Sequence, residues 1–388
     1  MTSLGKISKI ILLLASSLTV MSVSAISPAL PKIAEAFAYL PNAVFLVKLM
    51  LTIPSLIIAC SAPFAGIIID KGKRKTLLVT SLILYAITGT TGLYLDSIEG
   101  FLIARAFLGI SVAGIMTSAQ TLIADYYYGE ERTKALGLQG TFISFGGVLF
   151  VAIAGLLATI SWRYPFSLYG LALLLAYPAF LYIHEPKQKH KEEIIDNLEH
   201  SIYTMHTISI IGICCIVFSG MVIFYCIPTQ LPFLLQSYGI DSPAKAGAIV
   251  SLATLCGGIT SFLMPKLKKI ISFARLGSLS FGLLAIGFFG VQITPSYPII
   301  LFSALFAGAG IGLLMPSMRL WVITLANPKI RGRSVGFLTS SLYLGQFLSP
   351  IIAQPIVSLQ SIQSLYLIIA FIAGTLSIIL FLKSKKDI

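Results

Sequence analysis

Twelve long apolar runs divide this chain, and each is long enough to cross a lipid bilayer as a helix. The runs cover residues 10–28, 43–66, 77–94, 101–123, 136–159, 165–183, 206–227, 244–264, 276–292, 298–323, 335–357 and 363–382. Only 11% of all residues are charged, whereas a water-soluble domain needs about 25% to cover its surface. The runs also lack the alternation of a membrane β-barrel. We therefore predict an all-α integral membrane protein of twelve transmembrane helices.

Basic residues are distributed unevenly over the segments that connect the runs. If the N-terminus lies in the cytoplasm, 21 of the 27 Lys and Arg residues fall on the cytoplasmic side. The opposite side then holds Lys32, Arg163 and Lys245. Because basic residues resist translocation, we predict a multi-pass protein of a bacterial inner membrane with both termini in the cytoplasm.

The two halves of the chain resemble each other weakly. Residues 184–205 form the one long polar stretch, so we predict six-helix bundles at 1–183 and 206–388 with a cytoplasmic linker between them. Positions 199 apart carry the same residue in five places: Gly109 and Gly308, Ser118 and Ser317, Arg132 and Arg331, Gly137 and Gly336, and Gly146 and Gly345. Such repeats are typical of transporters that bind their substrate between two bundles.

Other classes of protein find little support in the sequence. His184-Glu185 lacks a second histidine at zinc-protease spacing, because Gln188 stands there. The five cysteines lie in apolar runs without CxxC spacing, and no phosphate-binding glycine loop occurs. We expect no catalytic residues, metal site or cofactor, and we disfavour a membrane enzyme or channel. The net charge of +13 follows the topology and does not indicate a nucleic-acid partner.

The segment GIIIDKGKRK, which begins at Gly66, resembles the signature G-x-L-A-D-R-x-G-R-K of the major facilitator superfamily. Gly66, Asp70, Arg74 and Lys75 match this signature, whereas Gly72 stands one place early. The resemblance implies two six-helix bundles related by pseudo-two-fold symmetry, and secondary transport by alternating access. It also implies that Asp70 latches the two bundles together in the outward-open state.

Further segments extend this resemblance over essentially the whole chain. RAFLG from Arg105 is similar to the family's R-x-x-Q-G, and the family-like stretches are PALPKIAEAF, DYYYGEERTKALG and WRYPF. The fifth run has the glycine spacing of the twelve-helix drug–proton antiporters from Gly146 onward, but lacks their proline. This similarity favours export. Multidrug efflux of lipophilic compounds and uptake symport within the same fold are the alternatives.

Carboxylates lie only near the ends of the runs. Glu35, Asp70 and Asp125 are therefore the candidates for proton coupling, unless the charge of the substrate itself provides the coupling. We expect a structural role for Asp125, which has Arg132 in reach across the end of its helix.

Polar residues within the runs are the candidates for substrate binding, since the resemblance implies that helices 1, 4, 7 and 10 line the pathway. They are Arg105, Thr117, Gln120, Tyr225, Gln230, Arg319 and Gln346. Any of them also fits the commoner role of bonding a neighbouring helix.

The charges within the runs have one sign. Lys48, Arg105 and Arg319 face no acid at mid-membrane depth, and an ionised side chain there usually has a function or a partner. Snorkelling to the headgroups suits Lys48, on a helix at the flank of its bundle. An arginine fork suits a carboxylate, so we predict export of an anionic metabolite or a carboxylate siderophore. We expect a monomer whose partners are this solute, protons and membrane lipids.

Overall fold

The computed structural model describes residues 6–127, 129–185, 203–326 and 331–384, and every regular element in these ranges is a helix. Twelve helical spans have the length and apolar composition to cross a membrane, as predicted. These spans, α1 to α12, are Ile7–Ala36, Ala43–Ile69, Arg74–Leu93, Ile98–Tyr126, Lys134–Ile160, Tyr164–Tyr182, Ser209–Ser237, Pro243–Lys268, Phe273–Ile293, Tyr297–Leu325, Gly332–Leu359 and Ile362–Ser384.

The first and seventh spans are longer than the sequence predicted, because each continues after a break. The α1 span consists of helix Lys6–Ser24, a 3-10 turn at Ser27–Ala29 and helix Leu30–Ala36. Pro28 and Pro31 begin the two later segments, where a missing N–H costs no hydrogen bond. The α7 span likewise joins helices Tyr203–Phe224 and Cys226–Ser237. The segments after these breaks bring Glu35 and Gln230 inside helices, whereas Glu35 was expected outside one.

Small residues set the helix crossings at repeat-related positions of the two halves. A Cβ atom on Gly109 of α4 would lie 2.8 Å from the backbone oxygen of Pro54 in α2. A Cβ atom on Gly308 of α10 would lie 2.0 Å from the backbone oxygen of Ala253 in α8. Both positions therefore require glycine, which allows two backbones to touch where lipid offers no hydrophobic driving force.

Two ends of the molecule are distinguished below by the residues that they hold. The near end holds the start of α1, Arg74 at the start of α3, Tyr126 at the end of α4 and Glu185 after α6. The far end holds Ala36 and Ala43, between which the chain turns from α1 into α2. The seam is the contact surface between α1–α6 and α7–α12.

Candidate functional site

The seam is closed at the far end, beginning with the second segments of α1 and α7. The hydroxyl of Ser27 donates a 2.6 Å hydrogen bond to the backbone oxygen of Pro228. Eight positions farther along each helix, toward the far end, the amide nitrogen of Gln236 donates to Oε1 of Glu35 at 2.5 Å. The breaks in α1 and α7 thus produce a pair of short helices that meet across the seam.

A polar ladder joins α2 and α11 in the same half of the molecule. Nζ of Lys48 donates to Oε1 of Gln354 at 3.2 Å, and Oγ of Ser55 donates to Oε1 of Gln346 at 2.8 Å. The two rungs lie seven and eight residues apart on antiparallel helices, which is two helical turns on each. Because both rungs cross the seam, the far end cannot open without breaking them.

The helices α5 and α8 close the opposite side of the seam by backbone contact. Oγ of Ser251 donates to the backbone oxygen of Val148 at 3.0 Å. A Cβ atom on Gly247 would lie 3.0 Å from the Cα atom of Gly155, so this crossing accepts no larger residue without a shift.

Toward the near end of the helices that meet at the seam, several glycines have empty space beside them. A Cβ atom on Gly66 of α2, Gly137 of α5 or Gly336 of α11 would meet none of the described atoms within 4 Å. Among the described residues, the hydrogen bonds that cross the seam lie between its middle and its far end, so the described contacts close the far end and leave the near end open.

Charged and polar groups tie three helix ends together at the near end. Nε of Arg74 lies 2.7 Å from Oδ2 of Asp125. The carboxylate of Glu185 accepts from the backbone N–H of Arg74 at 2.7 Å and from that of Lys75 at 2.9 Å. Glu185 therefore caps the start of α3, where a helix exposes unpaired N–H groups and favours a negative charge. No role for Glu185 was predicted from the sequence. Its position just after a predicted span and before the linker was the available signal.

The turn of the signature segment differs from the family pattern in its residues but remains a glycine turn. Gly72 has φ +77°, a left-handed conformation that favours glycine, and Lys73 precedes the helix that begins at Arg74. The displaced glycine thus supplies the turn. Asp70 ends the helix Ala43–Asp70, and its side chain lies outside the described part of the chain. The latch role of Asp70 and the pairing of Asp125 with Arg132 stay predictions.

Arg105 lies inside the first bundle and not at the seam. It is 2% exposed, and its guanidinium carbon lies 5.0 Å from the ring centre of Phe166 and 4.9 Å from that of Tyr169. Nη1 of Arg105 also donates to the Tyr169 hydroxyl at 2.9 Å and to the Ser22 backbone oxygen at 3.4 Å. Because Ser22 lies just before the break in α1, these bonds satisfy a carbonyl at a helix end. The expectation that Arg105 faces the pathway between the two bundles is wrong in this conformation. Substrate binding by Arg105 stays a prediction.

Lys48 is the second departure from expectation. Its side chain is 1% exposed and its ammonium is bonded across the seam, so the snorkelling interpretation is wrong. The alternation of apolar and polar residues in α2 gives no sign of this partner, because Gln354 lies 306 positions away.

The other candidates occupy three regions. Gln346 and Tyr225 lie around the middle of the seam, where Tyr343 also donates from α11 to the sulfur of Met116 in α4 at 3.3 Å. Thr117 and Gln120 are partly exposed on α4 toward its near end, and Arg319 is exposed on the corresponding part of α10. Gln230 is buried in α7 at the far end, five positions after Tyr225.

Comparisons with known proteins agree with this architecture. The family model described as Major Facilitator Superfamily matches residues 12–272 and 212–387. The Quinolone resistance protein NorA of Staphylococcus aureus is 22% identical over 84% of both chains. The Multidrug resistance protein 1 of Bacillus subtilis is 32% identical over 34% of this chain and 35% of its own.

Two solved structures share the fold over nearly their full length. The inward open xylose transporter XylE of E. coli has a TM-score of 0.78 at 16% identity, covering 96% of this chain and 95% of its own. An inward-facing bacterial homologue of the human lysosomal transporter Spinster has a TM-score of 0.74 at 18% identity, covering 98% and 97%. Since the family model matches most of the sequence, this chain belongs to the major facilitator superfamily of transporters.

Proposed function

We propose that this protein exports a small organic solute that bears a carboxylate, in exchange for protons, by alternating access. With both termini in the cytoplasm, as the basic residues predict, the near end faces the cytoplasm. The seam, tight at the far end and open at the near end, then corresponds to an inward-facing state that loads solute from the cell.

The charges in the spans support an anionic solute, and this observation carries the proposal. Within α1 to α12, the carboxylates Glu35, Glu99 and Asp125 all lie within two residues of a span end. Lys48 is buried at the seam and Arg105 is buried inside the first bundle, and no ion pair of the described residues includes either. A solute with a negative charge meets no opposing acid at depth, whereas a cation meets only like charge.

The relatives support export, since two of them are named for resistance to quinolones or to multiple drugs. Quinolones are aromatic compounds with a carboxylate, so a quinolone fits both the relatives' names and the charge pattern. Multidrug efflux of lipophilic cations is the second candidate, and the name of the Bacillus subtilis relative favours it. Sugar uptake, the activity named for XylE, is the third.

Transport in energised inverted membrane vesicles distinguishes these candidates. We expect proton-driven accumulation of nalidixate, a quinolone monocarboxylate, and its loss when the pH gradient is collapsed. The ethyl ester of nalidixate, which lacks the charge, and the cation ethidium should accumulate at least about ten-fold more slowly, a difference of about 1.4 kcal/mol in recognition. Vesicles without the protein give the background.

Each alternative has its own outcome in this assay. Rapid accumulation of ethidium without nalidixate would establish multidrug efflux of cations. Proton-driven uptake of xylose into right-side-out vesicles, with no accumulation of either drug in inverted ones, would establish uptake symport.

A further inference from the structure

Three polar side chains from both bundles converge in the far half of the seam. They are Lys48 of α2, Gln230 of α7 and Gln354 of α11. Lys48 is 1% exposed and Gln230 is 0% exposed, so water reaches neither side chain in this conformation.

The Lys48 ammonium is buried without a counter-ion among the described residues. It donates to the amide oxygen of Gln354 at 3.2 Å and lies 4.8 Å from the ring centre of Phe233 in α7. Both partners belong to the opposite bundle. A buried charge is costly unless an opposite charge and hydrogen bonds compensate it, and one neutral amide with one ring is incomplete compensation.

Gln230 is incompletely bonded as well. Neither its amide nitrogen nor its amide oxygen has a hydrogen-bond partner in the described part of the chain. Leaving a buried amide unpaired costs about 1–3 kcal/mol for each group, so such a side chain indicates a partner that is present at another stage.

The helical register directs Gln230 toward Lys48. Phe233, whose ring lies against the ammonium, lies three positions after Gln230, and Cys226, whose thiol contacts the hydroxyl of Ser349 in α11, lies four positions before it. Residues at these spacings share one face of a helix. Polar side chains from three helices thus lie in this part of the seam, with one buried positive charge among them.

We propose that Lys48, Gln230 and Gln354 form a release site for the carboxylate of the exported solute. When α2 separates from α7 and α11, the ammonium loses Gln354 and Phe233, and the two amides become accessible. A carboxylate then accepts hydrogen bonds from the ammonium and from the amide nitrogens, which are charge-assisted and therefore strong. When the far end closes, the oxygen of Gln354 replaces the carboxylate on Lys48 and the solute is displaced outward.

This site rests on the proposed export of an anionic solute, but it makes a separate prediction about the two faces of the membrane. A release site sets the affinity for solute at the far face and leaves the affinity at the near face unchanged. No ion pair of the described residues, at a limit of 4.0 Å, includes Lys48.

The test measures exchange of labelled nalidixate from each face. In right-side-out vesicles loaded with label, external unlabelled nalidixate stimulates release, and its half-saturating concentration reports the far face. Lys48→Met, which keeps the unbranched stem, should raise this concentration at least about ten-fold, and Gln230→Leu should raise it several-fold. The near-face value, measured in inverted vesicles, should change less than about two-fold.

Matched variants control this measurement. Lys245→Met removes an exposed lysine near the far end of α8 and should leave both values unchanged. Lys48→Arg keeps the charge and should recover part of the lost far-face affinity, which also shows that the position tolerates substitution.

The outcomes separate the site from the function. Equal far-face values in wild type and Lys48→Met, with nalidixate still transported, would overturn the release site and leave export standing. Equal shifts at both faces would assign Lys48 to gating alone and also overturn the site. Absence of nalidixate transport by the wild type would remove the proposed function, and the release site with it.

Discussion

At the scale of single residues, the near end shows which interactions a sequence reveals. The match of Asp70, Arg74 and Lys75 to a signature predicted a charged turn, and the described residues include an ion pair of Arg74 with Asp125. The sequence did not reveal that Glu185, 111 positions from Arg74, caps the same helix start. Partners so distant along the chain are set by how helices assemble, and no local pattern encodes them.

The ion pair of Arg74 and Asp125 leads to a prediction about folding. Asp125→Asn removes a partly exposed carboxylate and leaves the Arg74 guanidinium without that charge, so we expect less folded protein in the membrane. The effect on transport per molecule should be small. The measurement is membrane abundance and melting temperature in detergent, with the exposed Glu131→Gln as control. Normal abundance together with flux that no longer depends on the proton gradient would instead assign proton coupling to Asp125.

At the scale of helices, prolines and glycines explain both the successes and the errors of prediction. Apolar length identified all twelve spans, because lipid permits no backbone without internal hydrogen bonds. The predicted ends of α1 and α7 were wrong. A proline stops one helix but can also stand in the first turn of the next, so the span continues after it. Arg105 and Lys48 were misplaced, because composition gives the depth of a residue but not the direction of its side chain.

The glycine contact between α5 and α8 leads to a prediction: a larger residue in this contact should change how often the far end opens. Gly247→Val places a branched side chain where even a Cβ atom would lie 3.0 Å from Gly155, so the far end should open more often. A cysteine substituted for Ser251 should then react faster with a membrane-impermeant thiol reagent added from the far side. Gly137→Val, where a Cβ atom meets open space, is the matched control and should leave this rate unchanged. Slower labelling in Gly247→Val than in the control would contradict this account.

At the scale of the whole molecule, transport requires the two halves of the seam to open in alternation. The α2–α11 ladder offers a direct test, because Oγ of Ser55 donates to Oε1 of Gln346 at 2.8 Å in this conformation. In a background without the five native cysteines, a short bifunctional methanethiosulfonate should link Ser55→Cys to Gln346→Cys and stop transport, and a reductant should restore it. Either single cysteine variant serves as control. Full transport by the cross-linked protein would show that the far end does not need to open.

The closed far end also has a consequence for the medium that it faces. Its contacts across the seam are backbone approaches and hydrogen bonds in which at least one partner is neutral, and no pair of opposite charges crosses it among the described residues. Dissolved ions screen attraction between opposite charges and have little effect on contacts of this kind. With the near end in the cytoplasm, as we propose, the far end should therefore stay closed to the same degree in brackish and in fresh water, while the charged near end meets the regulated ionic strength of the cell interior.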